Sequence, residues 1–290
     1  MDTASTGIFP QIVIAIVVTA AIFFIFMIIE TLYRANLTYS QNRIPIYPYT
    51  GSGAKTKIIK QDPTNPNSIT IPLSDNQLTG IEFSYSTFLY ISDDTDDGSE
   101  GWKSVFYKGY ESGPFPLMGP GVFVSSSNSE SSAPVLRVVM NTYDSWFNVI
   151  DVKQVPFNKW VHLVIALRKN TMEVYINGNL ANKKSFNGTL PYQNYQPIIL
   201  FPSIRYTNVS EWKNPSTEQS TKRGIPPGEN FLINGKFTGY ISNMYYFPYA
   251  MTYSEIQAMM DMGPSSEFDQ DNMDRPPYLI DSWWTQRKGM

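Results

Sequence analysis

The chain has 290 residues, and its 17 Phe, 19 Tyr and 6 Trp supply enough apolar surface for a large core, which excludes a wholly disordered protein. With 22 Lys and Arg against 25 Asp and Glu, the net charge is −3, so no global basic field exists to hold nucleic acid. Zero Cys excludes disulfides, thiolate nucleophiles and cysteine zinc sites, and the single histidine, His162, excludes a multi-histidine metal centre.

A short segment, 1–7, precedes the strongest apolar run of the chain. Residues 12–29 read IVIAIVVTAAIFFIFMII without one charge. Taken as 8–30, the run is long enough to cross a bilayer as a helix. A cleaved signal peptide needs a basic start and a small-residue cleavage site, whereas MDTASTGIFPQ has no Lys or Arg and the run closes on Met27, Ile28, Ile29 and Glu30. A buried helix of a soluble protein shows a polar stripe, and here there is only Thr19. The expectation is a retained transmembrane helix over 8–30, with the lipid bilayer as its partner. Asp2 lies on one flank and Arg34, Arg43, Lys55, Lys57 and Lys60 on the other, so the positive-inside rule places the large C-terminal part in the cytosol. Sequons at Asn36, Asn187 and Asn208 point to the lumen instead if they are occupied.

Residues 31–67 read as a connector, because IPIYPYTGSGAK carries Pro45, Pro48 and a Gly-Ser-Gly that break regular elements. From Ser68 the chain turns into short apolar and aromatic runs: SITIPL, GIEFSYSTFLYI, SVFYKGY, GVFVSS, VLRVVM, NVIDV, WVHLVIAL, MEVYING, IILFPSI and FTGYISNMYYF. Most alternate with period two, and helical spacing is nearly absent. The pattern predicts an all-β fold, an antiparallel β-sandwich or jelly roll over 68–262. A polar insertion at 208–230, with Lys222 and Arg223, interrupts the strand rhythm as an interaction candidate. Thr252-Tyr253-Ser254-Glu255 spells a capping box and predicts one short closing helix. Residues 263–290 read as an interaction tail, with Trp283 and Trp284 beside a basic end.

Two stretches carry a resemblance. Trp160-Val-His162 opens a strand that leads, after a turn, to Tyr175-Ile-Asn177-Gly178, and Gly239 to Glu255 forms a closing strand and helix start. Together they resemble laminin-G-like domains of the concanavalin A-like lectin/glucanase superfamily, which implies a concanavalin A-like jelly roll. Asn177-Gly178 also suits a type I′ hairpin turn. The glucanase branch implies a Glu-x-Asp-x-Glu strand. The nearest spelling, Glu267-Phe268-Asp269-Gln270-Asp271, departs at its last position and lies beyond the closing helix, so no enzyme is expected. The lectin and laminin-G branches imply calcium, for which Asp93, Asp94, Asp96 and Asp97 are the candidates; a solvated acidic loop is the simpler account. Aromatics around Tyr107, Tyr110, Phe115, Trp146 and Phe147 suit either sugar stacking or the core.

An anchor ahead of a cysteine-free sandwich also resembles membrane-anchored laminin-G-like proteins of large icosahedral DNA viruses. That resemblance implies a minor capsid protein that tethers the internal virion membrane to the capsid shell. The alternative is a membrane-anchored, lectin-like module with a glycan as its partner.

Overall fold

The computed structural model describes residues 8–38, 43–65, 68–74, 76–77, 80–95, 100–113, 117–125, 134–145, 147–206 and 231–272. Segment 1–7, Asp96 and Asp97, the 208–230 insertion with Lys222 and Arg223, and Trp283 and Trp284 lie outside the described residues.

Helix α1 spans Ile8–Thr38. Within it, Pro10–Leu32 is a 23-residue stretch long and apolar enough to cross a membrane, and none of it is buried. At 1.5 Å per residue this stretch covers about 35 Å, against about 30 Å of hydrocarbon. Its two hydroxyls are satisfied internally: Thr19 donates to the Ala15 carbonyl and Thr31 to the Met27 carbonyl, each at 2.8 Å. The helix continues eight residues past Glu30 because residues 31–38 contain no Gly or Pro and include the good helix formers Leu32, Arg34 and Ala35.

The strands in chain order are β1 (Ile44–Gly51), β2 (Lys57–Ile59), β3 (Asn76–Gln77), β4 (Gly80–Ile81), β5 (Phe83–Ile91), β6 (Trp102–Lys108), β7 (Gly121–Ser125) and β8 (Leu136–Met140). They continue as β9 (Asn148–Val152), β10 (Trp160–Arg168), β11 (Thr171–Ile176), β12 (Asn179–Ser185), β13 (Ile198–Leu200), β14 (Arg205–Tyr206), β15 (Ile233–Lys236) and β16 (Gly239–Phe247), and helix α2 (Tyr253–Met262) follows. One sheet has the order β1-β16-β5-β10-β11-β12; the other runs β14-β15-β6-β7-β8-β9, with β13 bridging β6 and β2. Apart from the parallel pair β15 and β6, the pairings between named strands are antiparallel. The expected sandwich is therefore the observed fold.

Period-two alternation decides which side chains enter the core. On β5, Phe83, Tyr85, Leu89 and Ile91 join the main core between the sheets, together with side chains of the facing sheet such as Phe106 and Val138. Ser84, Ser86, Phe88 and Tyr90 take the opposite face.

Two expectations need correction. Residues 44–51 and 57–59, inside the supposed connector, are strands. β1 pairs with β16 from Ile44 opposite Tyr246 to Gly51 opposite Ile241, at the edge of its sheet, where a proline's missing N–H costs no ladder bond. In contrast, SITIPL forms no strand: the Ile71 N–H donates to the Gln61 side chain at 3.0 Å instead of to a neighbouring strand.

The first residues beyond α2 also belong to the sandwich. The Thr50 N–H donates to the Glu267 carbonyl at 2.8 Å, the Asp269 N–H donates to the Thr50 carbonyl at 2.9 Å, and Phe268 bridges Thr50 in parallel. Asp269 accepts from the Tyr47 hydroxyl at 2.9 Å and from Lys57 Nζ at 3.0 Å. Burial works against its charge, but the bonds from Lys57 and Tyr47 outweigh that and hold its carboxyl below the ordinary value. Asp269→Ala should lower unfolding stability by about 1–3 kcal/mol in a denaturant titration; an unchanged midpoint would show that this segment does not secure β1.

Candidate functional site

The motif residues meet on the outer face of the β1–β12 sheet. Register aligns Trp160, Tyr90 and Tyr240 in one row across the neighbouring strands β10, β5 and β16. Tyr90 lies 5.7 Å from Trp160 and 5.6 Å from Tyr240, ring centre to ring centre, and Trp160 lies 6.2 Å from Tyr240. All three are half-buried. Gly239 makes the row possible: it has φ 155°, and a Cβ there would stand 1.9 Å from the Tyr90 carbonyl oxygen.

Further along the same face, α2 covers the strands. Ile256 and Met259 pack on Val164, Tyr245 and Phe247, with Tyr175 at the margin of this cluster. The helix start is secured by Thr252 and Glu255: the Thr252 N–H donates to Glu255 Oε2 at 2.7 Å, and the Glu255 N–H returns to Thr252 Oγ1 at 3.4 Å. Glu255 is thus a capping residue. Asn177 and Gly178, at φ 47° and 76°, form the turn between β11 and β12. Asn177 Oδ1 accepts the His162 N–H at 2.9 Å, and Gln257 of α2 donates to the Gly178 carbonyl at 3.0 Å. The φ of 76° favours glycine at 178, and a Cβ there would displace the Gln257 amide that bonds its carbonyl.

His162 lies one row inside the aromatic trio, 1% exposed, stacked on Phe88 at 4.7 Å. Its Nε2 shares a 2.8 Å hydrogen bond with the Ser86 hydroxyl, and Nδ1 has no partner among the described residues. Burial lowers its pKa from 6.5 to about 4, so the ring is neutral at neutral pH. The Tyr175 hydroxyl donates to Glu173 at 2.9 Å; burial first, then this bond and the Glu173 charge, raise its pKa.

The other candidates are scattered. Asp93 and Asp94 are exposed in a 3₁₀ turn just past the aromatic end of β5, and Asp93 Oδ1 accepts the Asp94 N–H at 3.1 Å. Among the described residues no three acidic or histidine side chains converge as a metal site. Asp269 sits at the β1 edge, bound to Lys57 and Tyr47. Tyr107 and Phe147 are buried, Tyr110 is 42% exposed, and Phe115 and Trp146 lie outside the described residues. Sequence reasoning singled out Trp160 but missed Tyr90 and Tyr240, because only strand register brings the three together. It also missed Lys108, 4% exposed, which ties the β13 approach to β6 by donating to Asn194 and to the Gln196 carbonyl at 2.8 Å. Burial lowers the Lys108 pKa to about 7.

Residues 64–213, just over half of the chain, match the Laminin_G_3 family of the concanavalin A-like lectin/glucanases superfamily, and the chain belongs to that family. No curated protein matches it in sequence. Among solved structures, the receptor-binding domain of botulinum neurotoxin C/D mosaic serotype is similar at 12% identity and a TM-score of 0.43, covering 77% of this chain and 52% of that one. The binding domain of Paraclostridial Mosquitocidal Protein 1 is similar at 14% identity and a TM-score of 0.43, covering 73% and 42%. A Trypanosoma rangeli sialidase is similar at 12% identity and a TM-score of 0.41, covering 73% and 26%. The chain thus spans about half or less of the solved chains it resembles.

The depressed His162 pKa sets a pH dependence. The unfolded chain takes up a proton below about pH 6.5, which the folded chain resists until about pH 4. Stability is complete above that window and falls by up to about 3 kcal/mol as the pH descends through it. Thermal unfolding should therefore lose less between pH 7 and pH 4.5 in His162→Gln than in the parent; equal losses would show that His162 does not drive acid sensitivity.

Proposed function

We propose that the protein is a non-catalytic, membrane-anchored binding module whose ligand meets the Tyr90, Trp160 and Tyr240 row. The carrying observation is the division of one sheet face: α2 seals one part, and the aromatic row stays partly exposed on the other. Three ring faces and edges in one row suit the apolar faces of sugar rings, with their hydroxyls left to water. A glycan is therefore the ligand class best supported. Calcium at the Asp93 and Asp94 turn is an optional part of this reading, since that turn lies beside the same end of β5.

A structural role is the second reading: the sandwich tethers a membrane to a protein shell, in the finer form as a minor capsid protein of a virus with an internal membrane. The basic flank after α1 favours it, because that bias places the sandwich on the cytosolic side, where shell proteins assemble. Glycan-array binding of the full-length protein, with and without chelator, separates the two. The glycan reading expects binding that falls at least tenfold in Trp160→Ala with the thermal melt retained, and calcium dependence if the acidic turn takes part. Binding that ignores Trp160 overturns the row as the site, and absent glycan binding beside Trp160-dependent crosslinks to shell proteins supports the structural role.

A further inference from the structure

The last residue of α1, Thr38, and the first of β1, Ile44, are six positions apart. Six residues of fully extended chain reach about 20 Å, so one end of the sandwich is held close to the end of the apolar helix. The structure brings them closer still: α1 lies against α2, and Arg43 rests 5.0 Å over the Tyr245 ring, with Nη1 3.3 Å from Met262 Sδ.

Strand polarity decides which end this is. The row of Ile44, Tyr246, Tyr85 and Ile165 marks the tether end, and the Trp160 row lies five residues along β10 from it. At about 3.3 Å per residue, the aromatic row stands about 16 Å from the tether row along the strands. On the opposite side of the tether row, β10 ends in Arg168 and the Lys169 turn, and β12 places Lys183 and Lys184 opposite Glu173 and Met172. Lys169, Lys183 and Lys184 are exposed, and Tyr253 at the start of α2 is 61% exposed. Nearby carboxylates are Glu173, bonded to Arg168 at 3.0 Å, Glu255, held in the helix cap, Asp261, next to Met262 on α2, and Glu82, one residue before β5 at this end. With Arg168 and Arg43, the three lysines make five cations against four carboxylates, one of them already bonded to Arg168. The far end carries Asp93 and Asp94, where the Asp93 N–H donates to Asn158 Oδ1 at 3.3 Å, and Lys159 follows Asn158 in the chain.

The geometry points to the tether end as a docking surface for anionic lipid headgroups, contacted by Lys169, Lys183, Lys184 and Tyr253, so that the sandwich stands on the bilayer with its aromatic row turned outward. This rests on the membrane-anchor reading of α1. Lys and Arg are drawn to an anionic leaflet, and a tyrosine suits the headgroup layer. The tether supplies the proximity, and the charge selects the face.

The chain lacks cysteine, so single labels are introduced without background. Full-length Ser185→Cys, Lys159→Cys and Ile22→Cys proteins carry a fluorophore in phosphatidylcholine vesicles with and without phosphatidylserine, read against quenchers on the lipid headgroup and acyl chain. The expected result is headgroup quenching several-fold stronger at position 185 than at 159, and enhanced several-fold by phosphatidylserine. The enhancement should disappear at high salt and in a Lys169→Glu, Lys183→Glu, Lys184→Glu variant. Equal quenching at 185 and 159, or no response to phosphatidylserine while the label at 22 is quenched by acyl-chain probes, overturns the docking surface and leaves the anchor standing. No acyl-chain quenching at 22 removes the anchor, and the docking surface with it.

Discussion

The pairing of β1 with β16 begins at Ile44, six residues after α1 ends, and the rest of the arrangement follows from that junction. A strand hydrogen-bonded to a central pair cannot serve as slack, so the apolar helix and the sandwich behave as neighbours. The exposed edge of β1 is in turn covered by residues 267–269, through backbone bonds to Thr50 and the grip of Tyr47 and Lys57 on Asp269. An unpaired edge strand invites pairing with other chains, and this contact occupies the edge at Thr50. The result is a sheet whose first strand follows directly on the apolar helix and whose closing contact comes from the far end of the described chain.

Much of this was legible in the sequence, wherever the deciding physics is local. The alternation of GIEFSYSTFLYI marks a strand with two different faces, the Thr252 and Glu255 pair marks a helix start, and Asn177-Gly178 marks a tight turn; each depends on residues within a few positions. β1 escaped because Pro45 and Pro48 read as breakers, and only its place at a sheet edge makes them harmless. SITIPL misled in the opposite direction: it alternates well but its Ile71 amide is satisfied by Gln61. The docking of Asp269 was hidden because its partners, Tyr47 and Lys57, stand at the other end of the sequence. The site shows the same limit, since Trp160 was visible in its motif while Tyr90 and Tyr240 join it only through register.

The outer face of the sheet is divided between a part sealed by α2 and a part left open to solvent. Toward α2 it is apolar and sealed by Ile256 and Met259, and the buried His162 is kept neutral between Phe88 and Ser86. One row further out, the aromatic residues remain partly exposed. Glu255 and Gly178, both prominent in the motifs, support the seated helix, whereas Gly239 supports the row directly by yielding space to the Tyr90 carbonyl. The motif residues thus maintain the face on which the Tyr90, Trp160 and Tyr240 rings stand.

The central claim is that β1 is an integral strand joining the apolar helix to the sandwich. Hydrogen exchange on the full-length protein in lipid nanodiscs tests it most directly, by comparing peptides over 44–51 with those over β16 and β10. Protection in 44–51 of the same order as in β16 is the predicted result. Exchange of 44–51 on the timescale of an unstructured linker, with β16 and β10 still protected, would contradict it.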